Sequence, residues 1–187
     1  MYVTSGNDTE IRQTLEAVVD FVNAIADTDA LCVELETRSL LEEHNFSRAA
    51  IAPAAAIRRL EDRMRELAPR IRSLAIAGPD DAVDWINAEL AEIEIAPSLT
   101  EHDGDPLHVH WTPGSAKFDD QVIADLLMAL TQELADTGTT RFGRCAASDC
   151  EHLFYDSTRN GSRRFCNDAR CASRTHTADH RRRQRAG

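Results

Sequence analysis

Nowhere in the 187 residues is there an apolar run of the roughly 18 residues that a bilayer span requires. The opening Met1-Tyr2-Val3-Thr4-Ser5-Gly6 has neither the basic nor the apolar segment of an export signal. A cytoplasmic protein without a membrane partner is expected. No collagen, rod or repeat pattern is present, and no nucleophile elbow, phosphate-binding glycine loop or metalloprotease helix, so enzymatic chemistry is not expected. Positive charge is scarce over residues 1–140, which hold 10 Lys and Arg against 27 Asp and Glu, a net −17. Cysteine is scarcer still there, with Cys32 alone.

What is present divides accordingly. With 42% hydrophobic and 28% charged residues the chain can bury a core and is not a disordered polymer. The overall charge of −11 argues against a nucleic-acid partner, because phosphates are bound mainly through Lys and Arg. That average conceals residues 141–187, whose 11 Arg and 5 acidic residues give +6. Two charge regimes imply two modules, 1–139 and 140–187, with Asp136-Thr137-Gly138-Thr139-Thr140 as the junction.

The first module reads as mainly helical. Ile11, Leu15, Val18, Val22 and Ile25 recur at three- and four-residue steps, predicting a helix over 10–26. A shorter helix is expected over 37–44, capped by Thr37. Ile57, Leu60, Met64, Leu67, Ile71 and Leu74 predict a helix over 54–75, kinked or split at Pro69. After Gly78-Pro79-Asp80 comes a helix over 81–91 burying Val83, Ile86 and Leu90. Ile93-Glu94-Ile95 and Leu107-His108-Val109-His110-Trp111 alternate as the strands of a hairpin, giving one small antiparallel sheet. A last helix, 118–134, turns Val122, Leu126, Leu127, Leu130 and Leu134 inward.

The second module carries the chemistry. Cys145-x4-Cys150 and Cys166-x4-Cys171 are matched pairs of thiols, and Zn2+ prefers four tetrahedral ligands of this kind. Disulfides are disfavoured where thiols are kept reduced. Asn160-Gly161 is a turn dipeptide that would let Phe154-Tyr155 and Arg164-Phe165 pair as a hairpin. The only large apolar side chains of the segment are Phe142, Leu153, Phe154, Tyr155 and Phe165, so burial alone cannot hold it and a metal must. His152 or His176 in place of one cysteine is the alternative ligand set. Four cysteines leave no open coordination position, which makes the ion structural rather than catalytic. The fold class expected is α+β: a helical N-terminal domain with a small sheet, then a treble-clef-like or ribbon-like four-cysteine zinc finger ending in a helix from Asp168 to about Gln184.

Arg141-Phe142-Gly143-Arg144-Cys145, Leu153-Phe154-Tyr155-Asp156-Ser157-Thr158-Arg159-Asn160-Gly161, Arg163-Arg164-Phe165-Cys166 and Cys171 followed by Arg174 resemble the CGNR zinc fingers of bacteria. In that family the finger follows an ABATE domain, which Asp20-Phe21-Val22-Asn23 resembles more weakly. The resemblance implies a stress-induced transcription regulator. The sequence departs from the pattern at Ala172-Ser173, where the family has Gly-Asn, and at Phe165, where it has Trp.

A four-thiolate zinc site lowers the module's +6 to +4, which is still basic. Guanidinium groups suit phosphates and guanine edges, so Arg159, Arg163, Arg164, Arg174, Arg181, Arg182 and Arg183 are the candidate DNA-contacting residues. Alternatively the arginines form a solvated face or dock the finger onto its own acidic module. The first module then serves as sensor for a small-molecule or protein effector, and homodimerisation stays open. A protein-interaction adaptor is the rival reading, and an enzyme using His108 and His110, which alternate on one strand face, comes third. Cys32, ahead of the acidic stretch Glu34 to Glu43, reads as an inert buried thiol. An inward Asn23 would need partners or mark a ligand pocket, whereas Asp20 is read as solvent-facing.

Overall fold

The computed structural model describes residues 6–27, 33–46, 48–76, 78–101 and 107–186. Helices α1 (Gly6–Asp27), α2 (Val33–Glu43), α3 (Ala54–Ser73) and α4 (Pro79–Ala91) precede a two-stranded sheet, β1 (Ser98–Thr100) and β2 (His108–His110). Helix α5 (Phe118–Thr137) leads to a second sheet, β3 (Phe142–Arg144) and β4 (Leu153–Tyr155), and the chain closes with α6 (Ala169–Ala186). Both sheets are antiparallel. No helix among the described residues is long and apolar enough to cross a membrane.

The core lies where the apolar faces of α1, α3 and α5 meet. Leu15, Val18 and Val22 from α1 join Ile57, Leu60, Met64 and Ile71 from α3 and Val122, Ile123, Leu127 and Leu130 from α5, all essentially without solvent exposure. The charged faces are matched as well. Arg59 and Arg63 of α3 pair at 2.6 and 2.7 Å with Asp119 and Asp120, which sit in the first turn of α5 where negative charge also suits the helix dipole.

Pro69 does not split α3, which runs on to Ser73. The proline is on the exposed face, so it forfeits one backbone bond there. Leu67, Ala68, Ile71 and Leu74 around it are buried and offset its cost of about 3 kcal/mol. Thr37 is no cap: α2 begins at Val33 and Thr37 is buried within it. In α4, which begins at Pro79, Ala82 and Ile86 are one turn apart and face the core together, while Val83 lies about 100° round the helix from Ala82 and is 47% exposed. The hairpin strand is Ser98–Thr100, not Ile93–Ile95. Ile93 is drawn off by α4, donating its N–H to the Leu90 carbonyl, and is buried in the core. Cys32 lies outside the described residues.

The buried cluster does not stop at residue 140. Phe142, Leu153 and Tyr155 of β3 and β4 belong to the same apolar cluster as α1, α3 and α5. Gly138, at φ +65°, closes α5 with its N–H on the Leu134 carbonyl and turns the chain into β3. In β3 the ring of Phe154 lies against Gly143, where an added Cβ would sit 2.5 Å from the ring, so the strand accepts only glycine without displacing that ring.

Candidate metal centre and the basic helix

Cys145 follows β3, Cys150 ends the next turn, Cys166 precedes α6 and Cys171 lies in the first turn of α6. Their sulfurs all lie within 4.8 Å of one another, and they are the only such metal-competent group among the described residues. The Sγ atoms of Cys150 and Cys166, and of Cys166 and Cys171, are each 3.8 Å apart. Ligands about 2.3 Å from a tetrahedral ion are separated by roughly 3.8 Å, so the spacing fits Zn2+.

The backbone prepares the sulfurs for a cation. Cys145 Sγ accepts the N–H groups of Cys166 and Ala147, and Cys166 Sγ accepts that of Asp168. In each pair the first cysteine therefore takes the amide two residues onward, which is what a matched spacing allows. The Arg174 guanidinium approaches Cys171 Sγ at 3.5 Å and Asp149 at 3.3 Å. Burial pushes the Cys171 thiol up to about 11 and Cys166 well above its usual range. For Cys145 burial acts the same way, but the amide donors outweigh it and hold the thiol below its ordinary value. Cys145, Cys166 and Cys171 are buried and Cys150 is half-buried, and thiolates packed this closely repel one another unless a cation sits among them.

Around the cysteines the loop is fixed by one buried carboxylate. Asp156 accepts the N–H of Thr158 at 2.9 Å, its hydroxyl, and the N–H of Arg163 at 2.7 Å. These bonds and the nearby Arg141 charge outweigh burial and lower its pKa. Gly161 turns at φ +58° as the Asn160-Gly161 dipeptide implies. The expected hairpin is corrected, however: β4 pairs with β3, in the register Phe142 to Tyr155 and Arg144 to Leu153, and not with Arg164-Phe165. The Arg164 carbonyl instead takes the N–H of Ala146, which draws the second knuckle onto the first.

Histidine is not among the four sulfurs. His152 Nε2 lies 2.9 Å from Asp27, and His176 stands edge-on to the Phe165 ring, 5.7 Å between centroids. Ala172 and Ser173 lie inside α6, where an ordinary helical backbone serves and glycine's freedom is not needed. Asp168 starts α6 by accepting the Arg170 N–H at 2.9 Å, and its pKa falls to about 2 through the Arg170 guanidinium.

The candidate DNA-contacting arginines separate into two kinds. Arg163 is engaged within the finger, donating to the carbonyls of Phe165 at 2.9 Å and Tyr155 at 3.1 Å and to the Asn167 side chain. Arg164 lies over the Phe165 ring at 5.8 Å and Arg174 faces Asp149. Arg159 is exposed on the turn. Arg181, Arg182 and Arg183 are exposed near the end of α6, with Arg182 paired to Asp179 at 2.6 Å. From His176 to Arg185 every residue except Asp179 is exposed.

A stripe on α1 holds the finger in place. Asn23, buried, donates Nδ2 to the Leu153 carbonyl and accepts the Leu153 N–H, both at 2.9 Å, much as a neighbouring strand would. Asp20 accepts from Asn167 at 2.9 Å and faces His44 at 3.1 Å, so it is not simply solvent-facing. Glu16 accepts the Ser157 hydroxyl at 3.1 Å, and Asp27 meets His152. Arg72 of α3 bridges the Glu151 and Val22 carbonyls at 3.1 Å each. Glu16, Asp20, Asn23 and Asp27 recur at four-, three- and four-residue steps, one polar line beside the apolar one. That periodicity was available in the sequence as a second helical face; its partners were not.

Fold and site together define a small two-knuckle cysteine finger with a terminal helix, mounted on a mainly helical body. Residues 141–184 match the family model described as the CGNR zinc finger. The match spans the finger alone. No curated protein matches the chain.

Proposed function

We propose that the four sulfurs hold a structural zinc ion and that the finger so shaped binds duplex DNA, the helical body acting as an ABATE-like sensor or partner-binding domain of a transcription regulator. The observation that carries this reading is α6. Cys171 fixes its first turn to the metal centre, while its far end projects Arg181, Arg182, Arg183 and Arg185 into solvent. At about 100° per residue Arg170, Arg174, Arg181 and Arg185 fall on one side of the helix. A helix that is polar all round and packed only at its start gains little from burial, and a row of guanidinium groups suits a phosphate backbone. Arg163 supports the hairpin in this reading, and Arg159 and the α6 arginines make the contacts.

Fluorescence anisotropy of the zinc-loaded full chain on duplex DNA, at about 50 and 200 mM salt, tests the proposal. Binding is expected at low salt, with a salt slope that flattens by about one per arginine removed in Arg181→Ser and Arg185→Ser, and by less in Arg183→Ser, since Arg183 stands on the opposite side of the helix. No binding at low salt would remove DNA as the partner. The adaptor reading is favoured by the Asn23 to Leu153 contact, which makes the finger part of the body's own surface; an acidic protein would then occupy the α6 arginines.

A further inference from the structure

Outside the finger, one side-chain pair has the geometry of a second metal site. His108 and His110 are the first and third residues of β2, so their side chains leave the same face of the strand. Their Nε2 atoms lie 3.2 Å apart, the ring centroids are 4.9 Å apart and the rings are tilted by 56°. Two imidazole nitrogens each about 2.1 Å from one ion subtend an angle near 100° when they are this far apart, between the octahedral and tetrahedral values. With both lone pairs converging on that ion, the ring centroids stand roughly 5 Å apart, whereas rings meeting head-on through a shared N–H···N bond stand about 5.5 Å apart. The observed spacing is that of the converging arrangement, and without an ion the same bent approach is bridged by an N–H···N bond between the two rings.

The setting also suits a chelate. Both histidines are half-buried, which limits the rotation of their rings. The strand is tied to its neighbour at Ser98 opposite His110 and Thr100 opposite His108, so the backbone spacing between the two imidazoles is fixed before any ion arrives. Imidazole is a ligand for borderline divalent ions such as Ni2+, Cu2+ and Zn2+ rather than for Mg2+ or Ca2+. Two nitrogens leave positions for water or an external donor, unlike the closed set of four sulfurs.

We propose that His108 and His110 form a bidentate site for a divalent transition metal, distinct from the cysteine centre. Calorimetric titration of the untagged, zinc-loaded full chain with Ni2+ tests this. One equivalent of Ni2+ is expected to bind while elemental analysis still finds the zinc already present, and either His108→Asn or His110→Asn alone weakens the nickel affinity at least about tenfold. Paramagnetic broadening of the two imidazole proton signals accompanies binding in the wild type. Absence of a nickel equivalent overturns the proposal, as does a titration that survives unchanged in either variant. Unchanged circular dichroism in the variants shows that a loss of nickel reflects the ligands and not the fold.

Discussion

The two regions of this protein solve the same problem with different materials. The helical body buries long aliphatic side chains from α1, α3 and α5 and carries the negative charge on its surface. The finger has few such side chains, and those it has are divided: Phe142, Leu153 and Tyr155 point into the body's core, while the cysteines pack with Ala147 and Phe165. The finger thus has no apolar centre of its own apart from the cluster that surrounds the sulfurs. Charge imbalance between modules, which in the sequence looks like a boundary, is in the structure a seam across which polar groups of α1 meet backbone and side chains of β4 and the loop after Cys166.

If the finger depends on its metal and the body does not, removing the metal should separate them. Cys166→Ser, or treatment with a strong chelator, is expected to unfold residues 141–184, because apparent zinc contributions of about 10 to 16 kcal/mol exceed anything that region buries. Hydrogen exchange should show protection lost over β3, β4 and α6 and retained in the interior of α3. Equal protection of both regions in metal-free protein would mean that the seam, not the ion, holds the finger.

The seam can be probed directly at Asn23. Asn23→Ala leaves the N–H and carbonyl of Leu153 without their partner in a buried place, at a cost of about 2 to 4 kcal/mol. Thermal melting of the zinc-loaded variant should fall, with zinc content unchanged. A melting temperature equal to the parent's would show that the two regions are merely adjacent.

How much of this was legible beforehand follows the same division. The helices of the body were readable because a 3.6-residue period is local, and the four sulfurs because matched spacing is itself a metal signature. Strand pairing was not. Ser98-Leu99-Thr100 has no strong alternation, and Ile93 is claimed by the end of α4; both facts depend on what the surrounding chain does. The partner of β4 differs from the expected one for a related reason: Asn160-Gly161 makes a turn in either arrangement, but Asp156 gathers that turn onto itself and leaves β4 free to join β3. Asn23 was visible as an unusual polar residue on a core-facing helix, and only the tertiary structure supplies Leu153, which is 130 residues distant.

The smallest expected effects distinguish the regions by the sign of their response to pH. Asp125 of α5 has its pKa raised to about 7, by burial first and then by the charge of Glu10. Its folded pKa exceeds the unfolded value of about 3.9, so its contribution is most favourable at low pH and is lost as pH rises towards 7. Asp156 in the finger is shifted the other way, and its contribution is present above about pH 4 and lost as pH falls through its lowered pKa. Asp125→Asn should therefore raise the melting temperature at pH 8 and change little at pH 4, an effect of about 1 kcal/mol once solvent screening is allowed for. Asp156→Asn should lower it at pH 8, where the charged acceptor otherwise holds Thr158 and Arg163, and the difference should narrow in acid. If both variants shift in the same direction at pH 8, the body and the finger do not differ in how their carboxylates are held.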